Sequence, residues 1–154
     1  EGVITKKFHS LIKPRTNRIA SKAAFKTHGI EVNNLIIAPT QEEVLKSFFE
    51  EFGTEFRFAG WNINFDVSFF RRMCHNANKM REFNKINHRH IDVQTIKYLA
   101  VELNILGSEY KSLSDLSNLF SISRNIKHSA IEDAIITSKV YLELVELFKS
   151  KLNS

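Results

Sequence analysis

The chain has 154 residues, 43% apolar and 25% charged, with a net charge of +5 and a pI near 9.4. These values fit one soluble globular domain over 1–154 with a core of its own, and the positive balance favours a polyanionic partner such as nucleic acid. A lone cysteine, Cys74, excludes an internal disulfide and a thiolate zinc cluster and suits a reducing, cytoplasmic setting, and no run is long and apolar enough to span a membrane.

Val3 to Ile12 alternates loosely and carries Val, Ile, Thr and Phe, which predicts a strand ended by Pro14. Basic residues follow at Lys13, Arg15, Arg18, Lys22 and Lys26. They would track a phosphate backbone or simply form a solvated face. Ser21 to Thr27 predicts a short helix stopped at Gly29. Thr40 and Glu43 have capping-box spacing and open an amphipathic helix to about Phe52, with Val44, Leu45, Phe48, Phe49 and Phe52 inward. Thirteen phenylalanines predict a core rich in aromatic packing.

Phe56 to Trp61 reads as a strand, and Asn62-Ile63-Asn64-Phe65-Asp66 leads from it into a helix through Phe69, Phe70, Met73 and Cys74. Sites in α/β sheets form beyond the carboxyl ends of strands, where this order puts Asp66. The plainer readings are dipole complementarity for Asp66 and helix capping for Asn62 or Asn64. Asn76 to Asn87 reads as irregular, and His88-Arg89-His90 as surface. Ile91 to Val93 predicts a strand, and Thr95 to Leu103 a helix with Ile96, Leu99, Ala100 and Leu103 inward. Asp92, between them, reads as a cap. Ser112 caps a short helix, Leu113 to Phe120.

The last helix carries the most informative stretch, His128-Ser129-Ala130-Ile131-Glu132-Asp133-Ala134. Ser129 with Glu132 has capping-box spacing, so the helix starts there and should run to about Lys151. One apolar stripe is Ile131, Ile135, Ser138, Leu142 and Val145. A second row, Ile136, Val140, Leu144 and Leu147, is headed by Asp133. A carboxylate at the head of a buried row is costly unless something compensates its desolvation. A divalent cation would do so, and His128 one turn away would then handle a proton. Alternatively, an acidic first turn merely complements the helix dipole.

Asn62-x-x-Phe65-Asp66 followed by His128-x-Ala130-x-x-Asp133-Ala134 resembles the second and third motifs of the DEDDh 3′→5′ exonucleases, the superfamily of the bacterial DNA polymerase III epsilon subunit. Thr27-His28-Gly29-Ile30, Ala38-Pro39-Thr40, Asp92-Val93 with Leu99-Ala100, and Ser112-Leu113-Ser114-Asp115-Leu116 resemble further segments of that family. The resemblance covers about Val3 to Phe148. It implies an α/β, ribonuclease H-like three-layer fold with a mixed sheet flanked by helices. It also implies two Mg²⁺ or Mn²⁺ ions held by four carboxylates, which activate water on the terminal phosphodiester and release a nucleoside 5′-monophosphate.

Carried onto this chain, the resemblance makes Asp66 and Asp133 catalytic metal carboxylates and His128 the general base. His28 and Ile30 would contact the terminal nucleotide, with Asn62 and Phe65 beside the substrate. Trp61 stands where the family often has His, a change from which little consequence is expected. The implied partners are single-stranded DNA 3′ ends, ahead of RNA, and a DNA polymerase subunit, with no membrane. The first family motif, Asp-x-Glu, has no counterpart in the chain; it would lie upstream of Glu1, with the central strand. Two carboxylates are few for two Mg²⁺ ions, so residues 1–154 alone are expected to bind metal poorly and cleave little. Two rivals keep the fold: a catalytically inactive nucleic-acid-binding domain, and an RNA 3′-end-trimming exoribonuclease, separable by contacts to a 2′-OH.

Overall fold

A computed structural model of the chain describes residues 3–15, 29–123 and 129–153. Among them, in order, are α1 (Val32–Ile36), α2 (Gln41–Phe52), β1 (Arg57–Gly60), α3 (Ile63–Asn76), α4 (Met80–Phe83), β2 (Asn87–Asp92), α5 (Val93–Glu102), α6 (Leu113–Leu119) and α7 (Ala130–Leu152). β1 and β2 pair as a two-stranded sheet. The helix predicted over Ser21 to Thr27 lies outside the described residues. The described residues fall into two compact units. One takes them from Glu1–Ile4, Phe58–Asp66 and Arg89–Ser154, the other from Thr5–Arg57 and Val67–His88.

In the second unit, α2 begins as its sequence dictates. Thr40 Oγ1 accepts from the Glu43 N–H at 3.3 Å, and Glu43 Oε2 accepts from the Thr40 N–H at 2.7 Å. The Thr40 hydrogen bonds hold the Glu43 carboxyl below the ordinary carboxylate range. Leu45 and Cys74 are fully buried. Around them is the aromatic packing that thirteen phenylalanines foreshadow. Phe48 has the rings of Phe8, Phe49, Phe52, Phe56 and Phe70 within 5.1–5.8 Å, most of them edge-on. Burial, with the Glu82 charge added, pushes the Cys74 thiol up to about 11.

Residues 3–12 are not a strand. A strand exists through its ladder, and among the described residues only β1 and β2 pair. Phe8 instead packs on α2, 5.6 Å from Phe48 and 6.4 Å from Phe52. The apolar residues there serve packing, which a loose alternation cannot distinguish from pairing. The segment Asn76 to Asn87 is less irregular than its composition indicates, since it contains α4 and the Lys79–Glu82 ion pair at 2.9 Å.

In the first unit, α7 packs against α5 and α6. The core is Val93, Ala100, Leu106, Leu116, Ile136, Val140 and Leu144. The row headed by Asp133 is therefore the buried one. The other stripe is half-buried or exposed, with Ser138 exposed and Leu142 38% exposed. Both rows have helical spacing, and only the position of α5 and α6 chooses between them. Thr137, buried in the chosen row, donates its hydroxyl to the Asp133 carbonyl at 2.7 Å.

α5 also departs from expectation. Asp92 accepts from the N–H groups of Gln94 and Thr95, so the helix begins at Val93, two residues early. Its buried face is Val93, Lys97 and Ala100, while Leu99 and Leu103 are 52% and 54% exposed. The Lys97 ammonium lies 4.0 Å from the centre of the Tyr98 ring. His88-Arg89-His90, read as surface, lies in β2. His88 and Arg89 are exposed, but His90 is half-buried and stacks on Phe58 at 5.8 Å and 5°. Its Nδ1 is buried without a hydrogen-bond partner among the described residues.

α6 opens on a second capping box. Ser112 Oγ accepts from the Asp115 N–H at 3.1 Å, and Asp115 Oδ2 accepts from the N–H groups of Ser112 and Lys111 at 2.7 and 2.9 Å. At α7 the boundary is as predicted but the box is not. Ser129 is the N-cap in extended conformation, and its side chain makes no capping hydrogen bond. Its carbonyl accepts from the Asp133 N–H at 2.9 Å, as any helix start requires.

Candidate active site: two aspartates on one cavity

β1 ends at Gly60, where a Cβ would lie 2.7 Å from Ile63 Cδ1. The chain turns at Asn62, which takes the left-handed conformation (φ 53°) that Asn tolerates better than most residues. Two hydrogen bonds fix this turn. Asn62 donates its N–H to Asp92 Oδ1 at 3.2 Å, and its carbonyl accepts from the Phe65 N–H at 3.1 Å. Asp92 thus ties the start of α5 to the strand–turn–helix that carries Asp66. Asp66 falls in the first turn of α3, as its distance from the strand end dictates. Desolvation raises its carboxyl above the ordinary aspartate value, and its own backbone N–H partly offsets this.

Asp133 falls in the first turn of α7. Asp66 and Asp133 line the same cavity, of about 550 Å³, with Gly60, Trp61, Ile63, Ser112, Ser114 and Thr137 among its other walls. Ala59, Ala130 and Ala134 leave it room. The structure thus brings two acids 67 positions apart in sequence to one space. It places the other predicted residues differently. Asn62 and Phe65 stand beside the cavity without lining it; Asn62 shapes the turn, and Phe65 is 61% exposed. Ile30 is half-buried in the other unit. His28 and His128 lie outside the described residues.

Sequence reasoning missed the parts that Trp61, Ser112, Ser114 and Asp92 play. The Ser112 capping turn was legible as a helix start, yet nothing local says that Ser112 and Ser114 reach the cavity. The Asp92 carboxylate was legible as a cap, but its bond to Asn62 spans 30 residues.

Both acids are hard oxygen donors of the kind Mg²⁺ and Mn²⁺ prefer, and they converge on one space, so they fit part of a divalent-cation site. Among the described residues no three His, Cys, Asp or Glu side chains gather into a metal-binding group. Further ligands would have to come from water, from a phosphate or from residues beyond those described.

The class that this frame belongs to, an α/β chain that turns from a strand end to one aspartate and brings a second from another helix start, is that of the nucleases. The family model described as Exonuclease (RNase_T) matches residues 1–141, and the chain belongs to that family, within the DEDDh superfamily with its ribonuclease H-like α/β fold. It is similar to the DNA polymerase III subunit epsilon of three bacteria. Identity is 29% over 143 residues for Buchnera aphidicola subsp. Schizaphis graminum, covering 89% of this chain and 56% of that protein. For Buchnera aphidicola subsp. Baizongia pistaciae it is 32% over 138 residues, covering 87% and 52%. For Aquifex aeolicus it is 27% over 145 residues, covering 94% and 66%. The chain thus spans about half the length of the two Buchnera relatives and two thirds of the third. No helix among the described residues is long and apolar enough to cross a membrane.

Proposed function

We propose that this chain is the catalytic domain of a 3′→5′ exonuclease that removes nucleoside 5′-monophosphates from single-stranded DNA ends, working with a DNA polymerase in the cytoplasm. The observation that carries this reading is that Asp66 and Asp133 share one cavity. Three relatives bear the name DNA polymerase III subunit epsilon, which favours DNA over RNA and a polymerase over other partners. The net charge of +5 suits a polyanion.

In this reading Asp66 and Asp133 hold divalent cations, Mg²⁺ or Mn²⁺. When bound, these would supply positive charge to the entering and leaving oxygens of a phosphodiester that is already anionic. His128 accepts the proton of the attacking water. The new P–O bond forms as the bond to the 3′ oxygen breaks, and that oxygen stays on the shortened strand and takes a proton from solvent water. His28 and Ile30 hold the terminal nucleotide, with Asn62 and Phe65 alongside.

The raised Asp66 carboxyl has a role in this reading. Partial desolvation disfavours the charged form of Asp66 and a bound cation would favour it, so cation binding would act against that upward shift. The test uses the full-length protein and a labelled single strand. Asp133→Asn should abolish nucleotide release and leave the thermal transition in place. His128→Ala should slow turnover by about a hundredfold or more while retaining strand binding. Loss of folding in step with activity in both variants would make these residues structural and end the proposal.

A further inference from the structure

We propose that Trp61 is a contact surface for the terminal nucleoside, so that the cavity holds the phosphate at its acid pair and packs the base or sugar on the indole. This rests on the exonuclease reading of the same site and goes beyond it, because the family resemblance assigns no weight to this position.

Three observations converge. Trp61 follows the last residue of β1 and lines the cavity together with Asp66 and Asp133. It is half-buried, since its ring also packs against the core cluster of its unit. That backing restricts the indole, so less freedom is lost when a ligand packs on it. The cavity is also mixed in chemistry. Two carboxylates line it, and Ala59, Trp61, Leu113 and Ala134 add apolar walls.

A ligand matching both must carry an anionic group that cations can bridge to the acids, and a flat, weakly polar body. A nucleoside 5′-monophosphate has that form, and about 550 Å³ lies in the ordinary range for a small-ligand site. Stacking on an aromatic face tolerates any base, as an enzyme trimming unrelated ends requires.

Trp61 is the only tryptophan in the 154 residues, so its emission reports on the cavity directly. The experiment uses the full-length protein, with any tryptophan outside these residues replaced by phenylalanine. Mn²⁺ is titrated first, then deoxythymidine 5′-monophosphate or, in parallel, ribose 5-phosphate, which lacks a base. The expected result is quenching by Mn²⁺, a further saturable change with the nucleotide, and none with the sugar phosphate. In equilibrium dialysis, Trp61→Ala should weaken nucleotide binding about fivefold or more with Mn²⁺ affinity kept, and Trp61→Phe should restore most of the loss.

Quenching by Mn²⁺ with equal responses to nucleotide and sugar phosphate would overturn the role of Trp61 and leave the acid pair standing. No response to Mn²⁺ would overturn the acid pair and this proposal with it. The emission of the unsubstituted Trp61 decides between these outcomes even where the alanine variant does not fold.

Discussion

Replacing Asp92 should loosen the turn that carries Asp66, and the loss can be sized from its hydrogen bonds. One oxygen, Oδ1, accepts from Gln94 N–H at 2.9 Å, Thr95 N–H at 3.4 Å and Asn62 N–H at 3.2 Å. The first two cap α5, and removing such a cap costs about 1 kcal/mol. The third is a bond to a charged acceptor between segments 30 residues apart, worth about 1.5 kcal/mol. Asp92→Ala should therefore lose about 2–3 kcal/mol, which for a chain of this size lowers the melting temperature by roughly 4–12 °C. Asp92→Asn keeps an acceptor oxygen and caps nearly as well, so it should lose under about 1 kcal/mol. Urea unfolding gives the stabilities, and hydrogen exchange at the Asn62 amide reports the turn itself. Exchange should quicken in the alanine variant and stay near wild type in the asparagine variant. Equal losses in the two variants, or an unchanged Asn62 amide in the alanine variant, would refute the reasoning.

Leu144→Ala should cost about 2–5 kcal/mol and Leu142→Ala under about 1 kcal/mol in the same assay, because only the row headed by Asp133 faces the core. The carboxyls of Glu43 and Asp115 lie below the ordinary range because backbone and side-chain hydrogen bonds from Thr40 and Ser112 favour their charged forms. Their contribution to stability is complete above the ordinary carboxylate values and is lost as pH falls through the lowered ones. Thermal melts should show that acid loss shrink in Asp115→Asn. Asp66 runs the other way: with its carboxyl raised, it weakens the metal-free fold as pH climbs from the ordinary aspartate value through the raised one. Cys74 should resist iodoacetamide at neutral pH until the protein unfolds, since it is fully buried and its thiol is pushed up to about 11.

Local signals in this sequence carried far, and they failed where a distant partner decides. Thr40 with Glu43, Ser112 with Asp115 and the start of the last helix are fixed within one turn of chain, and their helices begin where the residues say. The same spacing at Ser129 and Glu132 produced a helix start without the side-chain bond, because spacing permits that bond and does not compel it. Leu99 and Leu103 have core spacing yet are exposed, whereas the row that Asp133 heads is buried as read. Each outcome depends on which helix lies opposite. Residues 3–12 have strand composition without a ladder for the same reason. Within the site, Asp66 and Asp133 were legible as motif residues, while Trp61 as a wall and Asp92 as a tie were not. The last two acquire their roles only when segments tens of residues apart meet.

The claim on which the account rests is that Asp66 and Asp133 grip the same cations. Mn²⁺ binding to the full-length protein, followed by electron paramagnetic resonance, tests it in a double-mutant cycle of Asp66→Asn and Asp133→Asn. The account predicts that each single substitution removes the same high-affinity Mn²⁺ and that the double variant loses nothing more. Losses that simply add, or a single variant that binds Mn²⁺ like the wild type, would contradict it.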